Sequence, residues 1–453
     1  MGRIGLINVM LVLCLSSASA AYAQAAIPLP PIQYTDKTLS NGMRVLLVED
    51  HSSPTVAINV GYHVGGKDDP LGRSGFAHLF EHLMYKGTAN TKPETFDRLT
   101  EDVGGSNNAF TAEDLTNYYE IVPSNYLETL LWAEADRLKT LKVDEPNFQS
   151  EREVVIGEYE QNFVANPYGK LELLIDGEAY TKHPYKRGVI GVPEQLRSAS
   201  LEDVRKFHDT YYQPQNAILV VVGDFDPTQA NTWIDKYFGG IAKGNIPIPR
   251  VSIVEPKQTK EKRITYYGDN VPLPAVAFVY HAVSEASSDA AALQVLENLL
   301  AEGESSRLFR SLVYEQQIAS SVSASADLRE QPGLFDVYAV LNKGKKPETA
   351  EKLLQQEIAK FQTKLVSSAE LEKARTQLTT ALVRSRESNN SRAVSLVQAT
   401  ILEGAPGRVN TALSELQAVT AADIQRVASQ YLVPSNRTVI YFLPKRAKDV
   451  PQK

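Results

Sequence analysis

The feature that most constrains the fold is an internal repeat whose two copies lie about 220 residues apart in a chain of 453 residues. Residues 200–222 read SLEDVRKFHDTYYQPQNAILVVV, and residues 420–442 read TAADIQRVASQYLVPSNRTVIYF. Four residues are identical at this offset: Asp203 and Asp423, Tyr211 and Tyr431, Pro214 and Pro434, and Asn216 and Asn436. In each copy a Ser or Thr with Asp three residues later favours a helix start, the helix ends before the proline, and a β-branched run predicts a strand. The repeat therefore predicts two similar halves.

Both halves mix predicted helices and strands without the strict alternation of a parallel βαβ protein. Residues 45–49 and 56–62, for example, are predicted strands that precede helical stretches. We therefore expect an α+β fold of two similar halves, each a mainly antiparallel sheet with helices packed on one face. A polar stretch with prolines at 246–262 is the predicted linker between a first half at 24–245 and a second half at 263–453.

The first 23 residues have the pattern of a secretory signal peptide. Arg3 is followed by an apolar run from Ile4 to Leu15, and small residues precede a predicted cleavage site after Ala23. The run is shorter than the ~20 residues that span a bilayer, so we expect no stable membrane anchor. The single cysteine, Cys14, lies inside this segment. The exported chain would therefore have no thiol for a disulfide or for catalysis.

The charge of the chain argues against a nucleic-acid partner. It has 47 basic and 54 acidic side chains, a net charge of −7, and no long run of Lys or Arg. A basic patch is the usual electrostatic signature of proteins that bind nucleic acid or anionic lipid. Neither partner is therefore expected.

The residues that indicate chemistry lie in the first half, in the motif His78-Leu-Phe-Glu81-His82. Apolar residues recur around it at helical spacing, so the motif is predicted to be helical. On a helix His78 and His82 share a face and can bind one zinc ion, and Glu81 lies at the edge of that face. A carboxylate there can take a proton from a metal-polarised water, which is the role of Glu in the HxxEH motif of inverted zincins.

A catalytic zinc commonly has three protein ligands and one open position. The acidic stretch EREVVIGEYEQN at 151–162 is a second predicted helix that could supply the third ligand. Spacing alone leaves four candidates open, which are Glu151, Glu153, Glu158 and Glu160.

Four stretches resemble the pitrilysin (insulinase) family of zinc metallopeptidases, which includes mitochondrial processing peptidase and small bacterial homologues. They are SGFAHLFEHLMYKGT at 74–88, GGSNNAFTAEDLTNYYE at 104–120, the ERxVVxxE pattern at 151–158 and HPYKRGVIG at 183–191. The resemblance covers nearly the whole chain after the signal peptide. It implies a zinc endopeptidase that cleaves peptides or unfolded segments, with two α+β halves that flank an internal chamber.

The resemblance also implies roles for individual residues. It makes Glu158, the last glutamate of the ERxVVxxE pattern, the third ligand of one Zn²⁺ ion per chain. Glu151 is then a supporting carboxylate beside the site rather than a ligand. Asn108 and Ala109 are implied to lie on an edge strand, to which the peptide substrate adds through backbone hydrogen bonds.

The second half departs from the pattern of active family members. Residues 303–324 keep the family's SSRLF segment, but Val313 and Ser320 stand where the family has an arginine and a tyrosine that hold the substrate near the zinc. The second half also contains no HxxEH motif, so no second zinc site is expected. We therefore expect the zinc-bearing subunit of a heterodimer, in which a paralogous partner supplies the arginine and the tyrosine. The alternatives are a homodimeric or monomeric peptidase that needs no partner, and a zinc-bound scaffold subunit without catalysis.

Two further expectations concern the surroundings of the chain. The bacterial relatives that it resembles come from cells with two membranes, so a periplasmic location is favoured over secretion into the medium. The polar stretch 351–394 is predicted to be helical and to face either solvent or a partner subunit.

Overall fold

The strands that follow the two repeated prolines each lie inside a β-sheet. The computed structural model describes residues 29–445, so the predicted signal peptide and Cys14 lie outside the described residues. The strands of the first sheet are β1 (Thr35–Thr38), β2 (Arg44–Glu49), β3 (Thr55–Tyr62), β4 (Ser106–Thr111), β5 (Thr116–Pro123) and β6 (Ala217–Gly223). The strands of the second sheet are β7 (Lys262–Gly268), β8 (Ala275–His281), β9 (Ala319–Asp327), β10 (Leu334–Leu341) and β11 (Arg437–Pro444).

The two sheets have the same strand order. In the first sheet the order is β1-β2-β6-β3-β5-β4, and in the second it is β7-β11-β8-β10-β9. Within residues 29–445 the two orders therefore differ by one strand, β1, at the edge of the first sheet. The repeated strand, β6 or β11, is parallel to the first strand of the common order and antiparallel to the strand on its other side. The remaining pairs are antiparallel. The predicted α+β fold of two similar, mainly antiparallel halves is confirmed.

Fourteen α-helices lie within the described residues. The first eight are α1 (Phe76–Leu83), α2 (Thr95–Glu101), α3 (Leu127–Thr140), α4 (Glu145–Tyr159), α5 (Gly169–Ala179), α6 (Pro193–Arg197), α7 (Leu201–Tyr211) and α8 (Pro227–Tyr237). The other six are α9 (Ala290–Ala301), α10 (Pro347–Thr363), α11 (Ser368–Arg384), α12 (Asn389–Leu402), α13 (Ala412–Ala418) and α14 (Ala421–Tyr431). In residues 29–445, none of them combines the length and the apolar character that crossing a bilayer requires.

The repeated helices α7 and α14 start as their sequences predict. Ser200 and Thr420 each accept a hydrogen bond from the backbone of the Asp three residues later, and that Asp accepts one in return from the backbone of the Ser or Thr. These reciprocal bonds satisfy N–H groups that have no partner within the helix. The local signal therefore fixes both helix starts.

Each sheet buries both of its faces. One face of the first sheet packs against helices of its own half, among them α1, α3, α4, α7 and α8. Its other face, with Leu46, Val48 and Val220, packs against Leu396 and Val397 of α12 from the second half. The second sheet is covered in the same way: one face packs against helices of its own half, and the other face packs against α5 of the first half. Each half therefore contributes one helix to the core of the other.

The polar stretch 351–394 is helical as predicted, but it does not face only solvent or a partner subunit. The stretch contains parts of three helices, α10, α11 and α12, and each has a buried apolar side. Each helix has an apolar stripe on one side, but the stretch as a whole is rich in polar residues, so its average composition is that of a solvated helix. The described chain from Ile32 onward is one compact unit, and residues 29–31 before it have no helix or strand.

Ion pairs also join the two halves. Glu330, in the turn after β9, binds buried Lys67 of the first half and lies 2.9 Å from Nε2 of His63. Lys67 is in addition 2.7 Å from Asp114. Burial opposes ionisation of Glu330, but His63 and Lys67 outweigh it and lower the pKa of Glu330 from 4.5 to about 2. Ionised Glu330 therefore stabilises the contact between the halves.

We expect Glu330→Gln to reduce the free energy of unfolding at pH 7 by about 1–3 kcal/mol, since it leaves a buried cation with one partner fewer. Because the pKa of Glu330 is lower in the folded chain, its contribution is complete above about pH 4.5 and is lost as the pH falls towards 2. The difference between wild type and variant in urea unfolding should therefore shrink below about pH 5. A matched control is Glu202→Gln, because Glu202 is exposed and forms no ion pair within residues 29–445. A difference that stays constant from pH 7 to pH 3 would contradict this account.

Candidate metal centre

Helix α1 carries the motif and is anchored by its apolar side. Phe76 and Phe80 are fully buried, and their rings lie 5.8 and 5.5 Å from the ring of Phe207 on α7. The first copy of the repeat therefore supports the motif helix. The opposite side of α1 presents His78 and Glu81 to a cavity.

The start of α1 is held by two features that the sequence analysis did not identify. Gly75 has φ +91°, and a Cβ at this position would lie 2.9 Å from the carbonyl oxygen of Ile190, so a larger residue would be strained and crowded. The buried carboxylate of Asp69 accepts hydrogen bonds from the backbone N–H groups of Gly75 at 2.5 Å and Ala77 at 2.9 Å. Asp69 thus caps the helix from the preceding loop and sets the position of His78 one residue further on.

Helix α4 carries the acidic residues of the second motif. Its first turn is capped by Asp144, whose side chain accepts a hydrogen bond from the backbone of Asn147 at 3.1 Å. The helix therefore begins at Glu145, ahead of the start predicted at residue 151. It ends at Tyr159, and a π-helical turn, Glu160–Ala165, follows it. Glu151 and Glu158 lie seven residues apart, so both point towards α1.

Donor atoms of His78, His82 and Glu158 all lie within 4.8 Å of one another. The carboxylate oxygens of Glu158 are each 3.6 Å from a histidine Nε2, one from His78 and the other from His82. These separations are longer than a hydrogen bond and close to the ~3.4 Å between two ligands of one tetrahedral zinc. Two imidazoles and one carboxylate with an open fourth position fit the donor set of a catalytic zinc.

The other acids of α4 take different positions. Glu153 and Glu160 are exposed, and Glu153 pairs with its neighbour Arg152 at 3.2 Å. Of the four candidates that spacing left open, the structure therefore brings Glu158 and Glu151 to the histidines.

Glu151 lies behind His82 and is almost fully buried. One carboxylate oxygen is 3.6 Å from Nδ1 of His82, and the other is 3.1 Å from the Lys86 ammonium group. Burial works against ionisation, but contacts with His82, Lys86 and Ser150 hold the pKa of Glu151 below its usual value. The carboxylate is therefore placed to orient the ring of His82 through its second nitrogen.

The pKa values of the two histidines are shifted in opposite directions. Burial, with the nearby ring of His82, lowers the pKa of His78 to about 3, so His78 is neutral and offers a lone pair at neutral pH. Burial acts in the same direction on His82, but contact with Glu151 and the charges of Glu158 and Glu81 raise the pKa of His82 above its usual value. The rings stand at 90° to each other with their centres 5.0 Å apart.

Glu81 lies beside this cluster and is held by the edge strand of the first sheet. The hydroxyl of Thr111, on β4, donates a 2.6 Å hydrogen bond to its carboxylate. Burial is the main cause of a raised pKa for Glu81, which the bond from Thr111 partly offsets. Thr111 was missed in the sequence because a threonine on a short polar strand carries no motif.

Asn108 and Ala109 lie on the same edge strand, β4, which pairs with β5 on one side. The side-chain oxygen of Asn108 accepts a 2.8 Å hydrogen bond from the backbone N–H of Ala109. The N–H of Ala109 therefore already has a hydrogen-bond partner, the side chain of the preceding residue. The side chain of Asn108 is exposed.

A cavity of about 410 Å³ opens beside the cluster. Its polar wall carries five carboxylates, from Glu81, Glu113, Glu158, Glu172 and Asp176. Its apolar wall includes Phe110, Phe163, Leu173, Val189 and Ile190. Among the described residues no lysine or arginine lines the cavity, so its wall is acidic.

Val313 and Ser320 lie in the second half. Val313 is in a π-helical turn, Phe309–Glu315, and packs partly buried against the second core. Ser320 is exposed on β9, and its hydroxyl donates to the backbone oxygen of Val340 at 3.2 Å. Neither side chain lines the cavity that the described residues form.

The fold and the cluster together are those of a metallopeptidase with an inverted HxxEH motif. Residues 44–192 match the model of "Insulinase (Peptidase family M16)", and residues 198–378 match that of the "Peptidase M16 inactive domain". The chain belongs to the insulinase family, peptidase family M16.

Individual relatives extend this similarity over almost the whole chain. The zinc protease PqqE of Helicobacter pylori is 29% identical over 97% of this chain and 98% of the relative. A probable mitochondrial-processing peptidase subunit beta of Arabidopsis thaliana is 25% identical over 87% of this chain and 75% of the relative. The crystal structure of a protease from Helicobacter pylori superposes with a TM-score of 0.87 at 29% identity, covering 91% of this chain and 100% of that one.

We expect Glu158→Gln to remove most of the zinc from the purified protein, because an amide is a weaker ligand than a carboxylate. Glu151→Gln should lower zinc affinity by about 10- to 100-fold, as is typical for a group that supports a ligand. Metal content and competition with a chromogenic chelator measure both effects. Glu160→Gln, two residues after Glu158 and exposed, is the control and should leave zinc unchanged. Full zinc content in Glu158→Gln would move the third ligand elsewhere.

Proposed function

We propose that this chain is a zinc-dependent endopeptidase that cleaves peptides or unfolded segments. The observation that carries the proposal is the convergence of His78, His82 and Glu158 within 4.8 Å, with Glu81 facing the same cavity. Family membership supports the hydrolysis of peptide bonds. The zinc proteases among the relatives support the choice of metal.

His78, His82 and Glu158 would hold one Zn²⁺, which supplies a Lewis acid that polarises water and the peptide carbonyl. Glu81 is placed to take the proton of the attacking water and to return it to the leaving amine. Burial raises its pKa, so that Glu81 is a better proton acceptor than an exposed glutamate. Thr111 fixes the carboxylate through one oxygen and leaves the other available.

Strand β4 would align the peptide. An extended chain that adds to this edge forms backbone hydrogen bonds and places a scissile bond near the cluster. The bond between Asn108 and the N–H of Ala109 would then be exchanged for one to the substrate. We assign Asn108 and Ala109 to substrate binding on this basis.

The acidic cavity would select a basic side chain of the peptide. Glu172 is an exposed lining residue with no ion pair or hydrogen bond to another side chain in residues 29–445, whereas Asp176 and Glu113 both contact Arg329. A carboxylate that is free in the empty cavity can bind a guanidinium or ammonium group without losing an existing partner. Glu172 is therefore our candidate for the contact with a lysine or arginine of the substrate.

A partner subunit is part of the proposal. Val313 and Ser320 offer neither a charge nor a ring, and they lie away from the cavity lining. We propose that a paralogous subunit supplies the arginine and the tyrosine that orient the substrate. The relative described as subunit beta of a processing peptidase supports an assembly of this kind. The alternatives are a peptidase that acts without a partner and a scaffold subunit, and Glu81 argues against a scaffold because a structural metal site needs no base.

We also propose that residues 1–23 are a signal peptide that directs the chain to the periplasm. Cell fractionation and the N-terminal sequence of the mature protein test this directly. A mature chain that begins at Gln24 in the periplasmic fraction would support it, and retention of Met1 would contradict it.

Glu81→Gln should keep zinc but lower kcat/KM for a quenched fluorescent peptide by about 10²- to 10⁴-fold, because it removes the proton acceptor. The matched control is Glu160→Gln, which should cleave as wild type does. Unchanged cleavage by Glu81→Gln would overturn the mechanism.

The same assay decides the need for a partner. The purified chain with one zinc bound should cleave slowly or not at all, and addition of the paralogous subunit should restore turnover. Cleavage by the chain alone that disappears in Glu81→Gln would instead favour the self-sufficient peptidase. A zinc-loaded chain that stays inactive with every paralogue of its genome would favour the scaffold.

Glu172→Gln should reduce the preference for arginine over norleucine in otherwise identical peptides. We expect the ratio of kcat/KM values to fall by about tenfold, which corresponds to about 1.4 kcal/mol. Glu178→Gln is the control, since it changes the same helix but does not line the cavity. An equal loss of preference in both variants would show that the effect is not specific to Glu172.

A further inference from the structure

The turn between β9 and β10 brings an arginine of the second half to the wall of the cavity. Arg329 is only 5% exposed. Its Nη2 atom is 2.9 and 3.1 Å from the two carboxylate oxygens of Asp176 and 3.4 Å from Glu113, both in the first half. Its Nε atom donates to Asp327 at 3.0 Å. One guanidinium therefore contacts three carboxylates.

The surroundings hold this guanidinium in one place. It lies 4.8 Å from the ring centre of Tyr185 and 5.7 Å from that of Tyr180, close enough for attraction to both ring faces. Burial opposes its charge, but Asp176, Glu113 and Asp327 raise the pKa of Arg329 above its usual value. Arg329 is therefore a fixed positive charge.

Two of its three partners face the cavity. Glu113 and Asp176 line the same wall as Glu172, next to His78 and Glu81. Asp327 is on the second half and does not line the cavity. Arg329 thus lies behind the wall and acts on the charge that a substrate would meet.

We propose that Arg329 sets the substrate specificity of the cavity from behind its wall. Because Arg329 pairs with Glu113 and Asp176, Glu172 is the wall carboxylate that stays available to a basic side chain. The cavity therefore accepts one positive charge, and its preference for a basic over a neutral side chain stays moderate. This inference rests on the proposed function, because it concerns the peptide that the cavity takes. Arg329 is a positioning residue, since its contacts are with the wall and not with the substrate.

The physical reason is the balance of charge. Burial raises the pKa of Glu113 and raises that of Asp176 to about 7, and Arg329 opposes both shifts. Without the guanidinium both groups would be protonated more readily, because a buried carboxylate without a partner is costly. A guanidinium from the substrate could then take the place of Arg329 and recover that cost on binding. Removal of Arg329 should therefore strengthen the binding of basic peptides while the whole protein becomes less stable.

The test measures binding, so that it does not depend on turnover. Two fluorescein-labelled peptides that differ only in one residue, arginine or norleucine, are titrated at pH 8 into the zinc-loaded full chain carrying Glu81→Gln. The Kd ratio, norleucine over arginine, is compared with and without Arg329→Met, which keeps the bulk of the side chain and removes its charge. We expect the ratio to rise by about tenfold in Arg329→Met.

Two further variants separate charge from structure. Asp327→Asn removes a partner of Arg329 that lies outside the cavity, but it leaves the positive charge against Asp176 and Glu113, so it should leave the ratio unchanged. Asp176→Asn combined with Arg329→Met removes one charge of each sign at the wall and should return the ratio towards the starting value. Thermal unfolding and zinc content are measured for every variant.

Each outcome bears on the proposal. A ratio that rises in Arg329→Met alone and falls back in the double variant supports it. An unchanged ratio in Arg329→Met, or an equal rise in Asp327→Asn, overturns it while the proposed peptidase function stands. If neither peptide binds with or without Arg329, both to the chain alone and to the chain together with its paralogous subunit, the proposed function fails and this inference fails with it.

Discussion

Two sheets with apolar side chains on both faces are the constraint on which this structure depends. The helices of each half cover one face, and a helix from the other half covers the second. Val220, for example, is completely buried in a cluster that contains Leu396 and Val397 of α12 from the second half. Apolar surface left in water would oppose folding of either half by itself. The exchange of α5 and α12 therefore joins the halves through their cores and not merely through their surfaces.

This exchange also decides what surrounds the metal cluster. Helix α5 packs on the second sheet with one side and lines the cavity with Glu172 and Asp176 on the other. The turn after β9 then meets α5 and places Arg329 and Glu330 against the first half. The second half lacks a metal motif of its own, yet it fixes the helix that lines the cavity and the charge behind that helix.

Much of the fold was predictable because its signals are local. The capping boxes at Ser200 and Thr420 and the prolines at 214 and 434 depend on residues a few positions away. The approach of His78 and His82 to each other was predictable for the same reason, since residues four apart lie on one face of a helix. The burial of the polar stretch 351–394 was not predicted, because a helix with an apolar stripe can have the average composition of a solvated one. The stripe is seen only where these helices pack on the second core and, for α12, on the first sheet. The choice of Glu158 among four acids came from resemblance, because spacing within α4 does not say which turn lies against α1.

The sequence by itself determined the repeat, the α+β class, the motif helix and the types of donor that can hold a metal. Each of these depends on neighbours along the chain, where periodicity and capping leave a readable pattern. Tertiary structure alone decided that Thr111 holds Glu81, that Asp69 caps α1 and that Arg329 pairs with Asp176 of the other half. These partners lie 30, 8 and 153 residues apart. Asp69 and Thr111 reach α1 only when the first half folds, and Arg329 reaches Asp176 only when the two halves pack together, so no local rule links these pairs.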